Sequence, residues 1–182
     1  MESVAVASIT EGSPDAIEWH CFDYDITFEN YSVLRVLEPG QCAVSEEFVG
    51  GKYNWELHYF PNGSIDENNE GHSSVFLKRS NNVTWFNPVI KTRFHITMHH
   101  NSFGYDVNTV IVCPLDPSVH TFCNKNPIWG FNRFISKSIV EKYCWDKSKD
   151  CIKLRCYIWV TKEFSSGVKR RVRKREGSED SQ

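Results

Sequence analysis

The chain has 182 residues, of which 40% are hydrophobic, 14% aromatic and 24% charged. That suffices for one domain with its own core and a short tail, but not for two domains. The formal net charge is −2, and no stretch approaches the ~20 apolar residues that a membrane helix needs, so neither a membrane span nor a uniformly basic surface is expected.

Residues 1–17 are small and polar. They lack a basic n-region and an apolar run, so they read as a disordered lead-in rather than a secretory signal. From Trp19 the pattern alternates: Phe22, Tyr24, Ile26 and Phe28 share one parity, with Cys21, Asp23, Asp25 and Thr27 on the other. That is the period of a half-buried strand. Tyr53 to Phe60 repeats it, with Tyr53, Trp55, Leu57 and Tyr59 against Asn54, Glu56 and His58, and Pro61-Asn62-Gly63 supplies a turn. Less regular β runs follow at 73–78, 89–98 and 105–112. Phe134 to Tyr143 carries Ile135, Ile139 and Tyr143 at helical spacing, and Ser138 and Glu141 have capping-box spacing, which predicts one short helix that starts late in that stretch. Cys151 to Val160 is again a regular strand, with Ile152, Leu154, Cys156, Ile158 and Val160 inward. Many short strands, turn clusters and one short helix predict an all-β, antiparallel sandwich over residues 18–164.

Six of the 21 basic and three of the 23 acidic residues lie after residue 168, so the body is mildly acidic and the tail, 165–182, basic. Lys169, Arg170, Arg171, Arg173, Lys174 and Arg175 have the composition of a nuclear-import signal or a phosphate-binding tail. They equally suit a solvated terminus. The seven cysteines are odd in number in a chain with core enough to need no staples, and they include no C-x-x-C pair, so reduced thiols of a cytoplasmic or nuclear protein are expected, without a disulfide framework or zinc. His95 and His99 share a strand face while His100 points away, a poor set for a metal. No G-x-S-x-G, phosphate-loop or dinucleotide fingerprint is present, and nothing marks an activated nucleophile. A non-catalytic protein without a cofactor is expected.

Several segments in order resemble one family. Gly50-Gly51 before Trp55, then Tyr59-Phe60-Pro61-Asn62-Gly63, is similar to the GG…W…YPxG signature of MATH (TRAF-like) domains. Ser74-Val75-Phe76-Leu77 resembles the next strand of that family, and Trp129-Gly130-Phe131-Asn132-Arg133-Phe134-Ile135 its WGFxxFI segment. Asp150 to Val160 resembles its closing DxLxxxCxVxV strand. The likeness spans roughly 18–164 and is nearest to the speckle-type POZ protein branch.

The resemblance implies an eight-stranded β-sandwich that docks short extended peptides on one sheet. In that branch such domains select substrates for cullin-based ubiquitin ligases, which makes linear peptide motifs and BTB/cullin adaptor proteins the expected partners. The chain has no room for a BTB part of its own and is expected to be a monomer. Transferred by motif, the groove residues are Phe76, Phe94, Phe122, Trp129, Gly130 and Phe131.

Strand parity bears on each of these. Val75 and Leu77 take one face, which leaves Phe76 on the polar one, either as a peptide anchor or packed beneath a loop. Phe94 shares parity with Ile96 and Met98, which places it in the core, against the resemblance. Trp129 and Phe131 flank a glycine on one parity, as two groove rings beside Phe76 or as a core plug. The upstream groove aromatic falls on Thr121, or on Phe122 after a one-residue slip. Pro127-Ile128 replaces the Lys-Asp pair of the speckle-type pattern, so that branch's serine-rich motif preference does not carry over. The alternative function is a nuclear, basic-tail binder of nucleic acid or chromatin with the β domain as scaffold.

Overall fold

A computed structural model describes residues 19–65, 69–80, 89–101, 110–112 and 118–161. Its strands are β1 (Trp19–Glu29), β2 (Ala43–Val44), β3 (Phe48–Gly50), β4 (Tyr53–Phe60), β5 (His72–Arg79), β6 (Ile90–His99), β7 (Val110–Val112), β8 (His120–Phe122), β9 (Ile128–Ser136) and β10 (Cys151–Thr161). Two sheets form, with every pairing antiparallel. Sheet A runs β1-β10-β6, and β7 and β8 both pair with the far side of β6. Sheet B runs β4-β5-β9, and β2 and β3 both pair with the outer side of β4. Each sheet thus has one edge broken into two short pieces. Among the described residues, ten strands occupy eight positions, as expected of the sandwich.

The register shows why the alternating segments became strands. In sheet A, Phe22, Ile158 and Phe94 lie abreast, then Tyr24, Cys156 and Ile96, then Ile26, Leu154 and Met98. In sheet B the matching rows are Leu57, Leu77 and Trp129, and Tyr59, Val75 and Phe131. Residues directly opposite in an antiparallel pair point to the same face, so these rows are the two inner layers. Trp55, Leu57, Tyr59, Val75, Leu77, Ile96, Met98, Ile152, Leu154, Cys156 and Ile158 have no exposed surface.

Trp55 donates its indole N–H to Gly50 O at 2.8 Å and meets the Phe122 ring edge-on at 5.0 Å, tying the sheets together. The two-residue turn Gly51-Lys52 joins β3 to β4 with φ +61° and +68°. Two consecutive positive φ values define the mirror-image hairpin turn that matches strand twist, and glycine adopts the first without strain. A Cβ on Gly51 would also lie 3.0 Å from the Val160 side chain.

The short helix expected late in the 134–143 stretch is present, beginning just ahead of Ser138 rather than after it. β9 stays paired with β5 as far as His72 opposite Ser136, through a bulge between Ser73 and Val75. The bulge lets consecutive Phe134 and Ile135 both lie buried, at 4% and 5% exposure. Helical residues begin only at Lys137, with three α-helical residues, α2 (Lys137–Ile139), passing into a π-helical turn (Val140–Cys144). The Ser138 capping box does not form: Ser136 is the N-cap residue, and its Oγ lies 2.7 Å from that of Ser138.

A second short helix that the sequence did not reveal, α1 (Tyr31–Leu34), is held from a distance. Asp150 O accepts from the Tyr31 N–H at 2.9 Å, and its carboxylate accepts from the Ser32 N–H at 2.9 Å and from Ser32 Oγ at 2.5 Å. The same carboxylate accepts the Trp145 indole N–H at 3.0 Å. Of the run expected over 105–112, only 110–112 falls among the described residues. The lead-in 1–17 and the tail 165–182, with its basic run, lie outside them.

On the outer face of sheet A, Arg155 grips Asp25 through two hydrogen bonds of 2.6 Å. The Arg155 hydrogen bonds hold the Asp25 carboxyl below the usual carboxylate range, and nearby His99 adds to the effect. A carboxylate whose folded pKa is depressed contributes stability that is present above its unfolded pKa of about 3.9 and lost as pH falls through the folded value. The pair is half-exposed, so Asp25→Asn is expected to cost at most about 1 kcal/mol at neutral pH. It should also flatten the fall in stability below about pH 4. Urea unfolding across pH checks both; an unchanged acid limb would show that the pair contributes nothing.

Candidate functional site

The site builds outward from β5, the middle strand of sheet B. Val75 and Leu77 enter the core, so Phe76 between them stands on the outer face. It is half-buried, and its ring meets Phe60 edge-on at 5.5 Å. His58 of β4 lies directly across from it on one side and Gly130 of β9 on the other. A Cβ on Gly130 would fall 2.1 Å from Val75 O, 2.5 Å from Phe76 Cα and 2.8 Å from its ring. The glycine is therefore needed for Phe76 to lie across β9 at all.

Trp129 and Phe131 do not share that face. They stand opposite Leu77 and Val75 and so point toward the space between the sheets. The expectation of two rings beside Phe76 is thereby corrected: only Gly130 of the three-residue segment is its face-mate. Trp129 and Phe131 remain half-buried, because β9 is the end strand of sheet B among the described residues. Trp129 donates its indole N–H to Thr121 O at 3.0 Å, and its ring sits 5.0 Å from His120. Phe131 lies 5.8 Å from Phe94.

Phe94 and Phe122 are core residues, at 2% and 0% exposure. This corrects their assignment as groove residues, since neither offers a peptide any surface. Parity had placed Phe94 correctly against the resemblance. The four aromatics nevertheless come together in one seam at the mouth between β8 and β9. Phe94 and Phe122 floor it, Trp129 and Phe131 rim it, and His120 bridges Phe94 and Trp129 at 5.0 Å to each. His120 was not singled out from the sequence; its position beside Thr121 and Phe122 was the available signal.

Beyond Phe76 the outer face of sheet B turns polar. Glu56 Oε1 accepts from Lys78 Nζ at 2.6 Å and lies 2.8 Å from His58 Nε2. Burial opposes ionisation of Glu56, but the bonds from Lys78 and His58 outweigh it and hold the carboxyl below its usual range. The face therefore offers a ring pair, Phe60 and Phe76, beside a fixed charged cluster. On sheet A, His95 faces Tyr157, His99 faces Asp25 at 3.5 Å, and the His100 ring stacks on Tyr143 at 5.3 Å. Among the described residues these histidines do not converge on a metal-binding cluster.

The chain can be set against known proteins. A family model described as MATH domain matches residues 23–158. BTB/POZ and MATH domain-containing protein 3 of Arabidopsis thaliana is 23% identical over 171 residues, covering 90% of this chain and 41% of that protein. BTB/POZ and MATH domain-containing proteins 6 and 4 of the same organism are each 24% identical over 139 residues. These matches cover 75% of this chain and 32% and 29% of the relatives. The chain thus spans less than half the length of these relatives.

Gly130→Ala is expected to lower stability by about 2–3 kcal/mol, because the new methyl meets backbone rather than a mobile side-chain end. Chemical denaturation measures it, and a loss below about 0.5 kcal/mol, the range of an inert surface substitution, would show that β5 and β9 separate at little cost.

Proposed function

This chain belongs to the MATH domain family, and from that premise we propose that it is a non-catalytic module that recognises extended peptide segments of partner proteins. The observation that carries the proposal is the setting of β9. It is the end strand of sheet B, with β5 on one side and no strand on the other among the described residues. It bears half-buried Trp129 and Phe131 toward one face and borders Phe76 on the other.

An extended peptide added along such an edge gains main-chain hydrogen bonds, and its alternate side chains meet the two faces in turn. One set would reach the seam at Trp129 and Phe131, the other the ring pair Phe76 and Phe60. Ile128, exposed at 37%, extends the apolar contact at the start of β9. A micromolar affinity, about −8 kcal/mol, is expected of such docking.

The relatives' names pair MATH with BTB/POZ, which supports a role in recruiting proteins to BTB-containing adaptors and, through them, to ubiquitin ligases. The basic run 169–175 is not used in this reading, and nuclear import through it is a separate proposal, tested by deleting it and locating the protein.

Selection of a random extended-peptide library on the full chain should enrich binders. Phe76→Ala and Trp129→Ala should each weaken an enriched peptide by about tenfold or more, in line with loss of a ring anchor. Phe76→Ala is the cleaner variant, since its ring lies outside the core. Undiminished capture by a folded Phe76→Ala protein would overturn its role as an anchor, and failure to enrich any peptide would overturn the proposal.

A further inference from the structure

Cys42 lies just before β2, at the edge of sheet B beside His58. Its Sγ is 3.8 Å from His58 Nδ1. The other ring nitrogen, Nε2, is 2.8 Å from Glu56 Oε1, the oxygen that also accepts Lys78 Nζ at 2.6 Å. An ionised carboxylate only accepts, so a neutral His58 ring carries its hydrogen on Nε2 toward Glu56 and turns the Nδ1 lone pair to the Cys42 thiol. Thiol, imidazole and carboxylate thus stand in the order of a nucleophile, its base and the group that orients the base. Lys78 fixes the carboxylate in turn. The four residues come from three adjacent strands or their flanks, and the His58 and Glu56 side chains are only 16% and 15% exposed.

We propose that Cys42 is a site of covalent thiol modification by low-molecular-weight disulfides, with His58 as the base. The Cys42 sulfur attacks one sulfur of the disulfide as its proton passes to His58 Nδ1. A new S–S bond forms, and the old one breaks with its electron pair on the departing sulfur. The imidazolium, steadied by Glu56, returns the proton to that sulfur. The small disulfide is the oxidant and leaves one equivalent of free thiol, while Cys42 ends as a mixed disulfide.

The resting Cys42 is a thiol rather than a thiolate: burial pushes it up, Lys78 opposes and Glu56 adds to the rise. Reaction therefore depends on a base within reach. The other described cysteines are set differently. Cys144, Cys151 and Cys156 are buried at 2%, 3% and 0% exposure. The Cys21 thiol is raised by burial and then by Asp23. Cys123 is half-buried like Cys42 and is the natural comparison. An adduct on Cys42 would sit on the face that holds Phe60 and Phe76, but the thiol chemistry stands independently of any peptide reading.

The test incubates the full chain with glutathione disulfide and follows each cysteine by peptide mass mapping over time. Cys42 should be modified about tenfold faster than Cys123, and His58→Gln should slow Cys42 by about tenfold or more while leaving Cys123 unchanged. Glu56→Gln, which leaves the base but loosens it, should give a smaller loss. Faster labelling of Cys123 than of Cys42 in the unsubstituted chain would overturn the proposal, as would an unchanged Cys42 rate in folded His58→Gln. The buried Cys144, Cys151 and Cys156 report folding in every sample. Should they become reactive in a variant, the order of Cys42 and Cys123 in the unsubstituted chain decides alone.

Discussion

At Gly130 the backbone of β9 comes so close to β5 that no side chain fits between them, and much of the candidate site follows from that contact. A Cβ there would lie 2.1 Å from a β5 carbonyl oxygen. With only hydrogen in that place, Phe76 can lie across β9 on the outer face, and the register is pinned with Val75 opposite Phe131 and Leu77 opposite Trp129. Because opposite residues share a face, the same contact sends the two rings flanking the glycine inward. The Trp-Gly-Phe segment thus serves both faces of the sheet at once, through its side chains on one and the absence of a side chain on the other.

Much of the fold was legible in the sequence wherever a strand has one polar and one apolar parity. β1, β4 and β10 are of that kind, and their inner rows are those the alternation indicated. Phe76 was legible for the same reason, since Val75 and Leu77 leave it no place in the core. The faces of Trp129 and Phe131 were not legible. Parity groups them together but does not say which face is the core, and only the pairing with Val75 and Leu77 decides it. Ile135, Ile139 and Tyr143 share a helical period, yet its first member belongs to β9, because the strand runs on through a bulge to Ser136.

What the sequence could not show is contact across long separations. Asp150 holds the start of α1 from the far end of the chain, so neither a local cap nor a helical pattern betrays that helix. The relay from Cys42 through His58 and Glu56 to Lys78 exists only because β2, β4 and β5 lie side by side. Along the chain these residues have no diagnostic spacing. Phe94 shows the converse, where strand parity outweighed a transferred groove assignment and the core position followed. The polar relay and the ring pair share one face of sheet B, which gives that face both an apolar contact and a reactive group.

The most direct test of the central claim is an amide NMR titration of the isotope-labelled chain with a library-selected peptide. The account predicts chemical-shift changes along β9 and its β5 neighbours around Phe76, with slowed amide exchange at the β9 edge as a strand is added there. Changes centred instead on the outer face of sheet A, around Tyr157 and Trp159, with β9 unaffected, would contradict it.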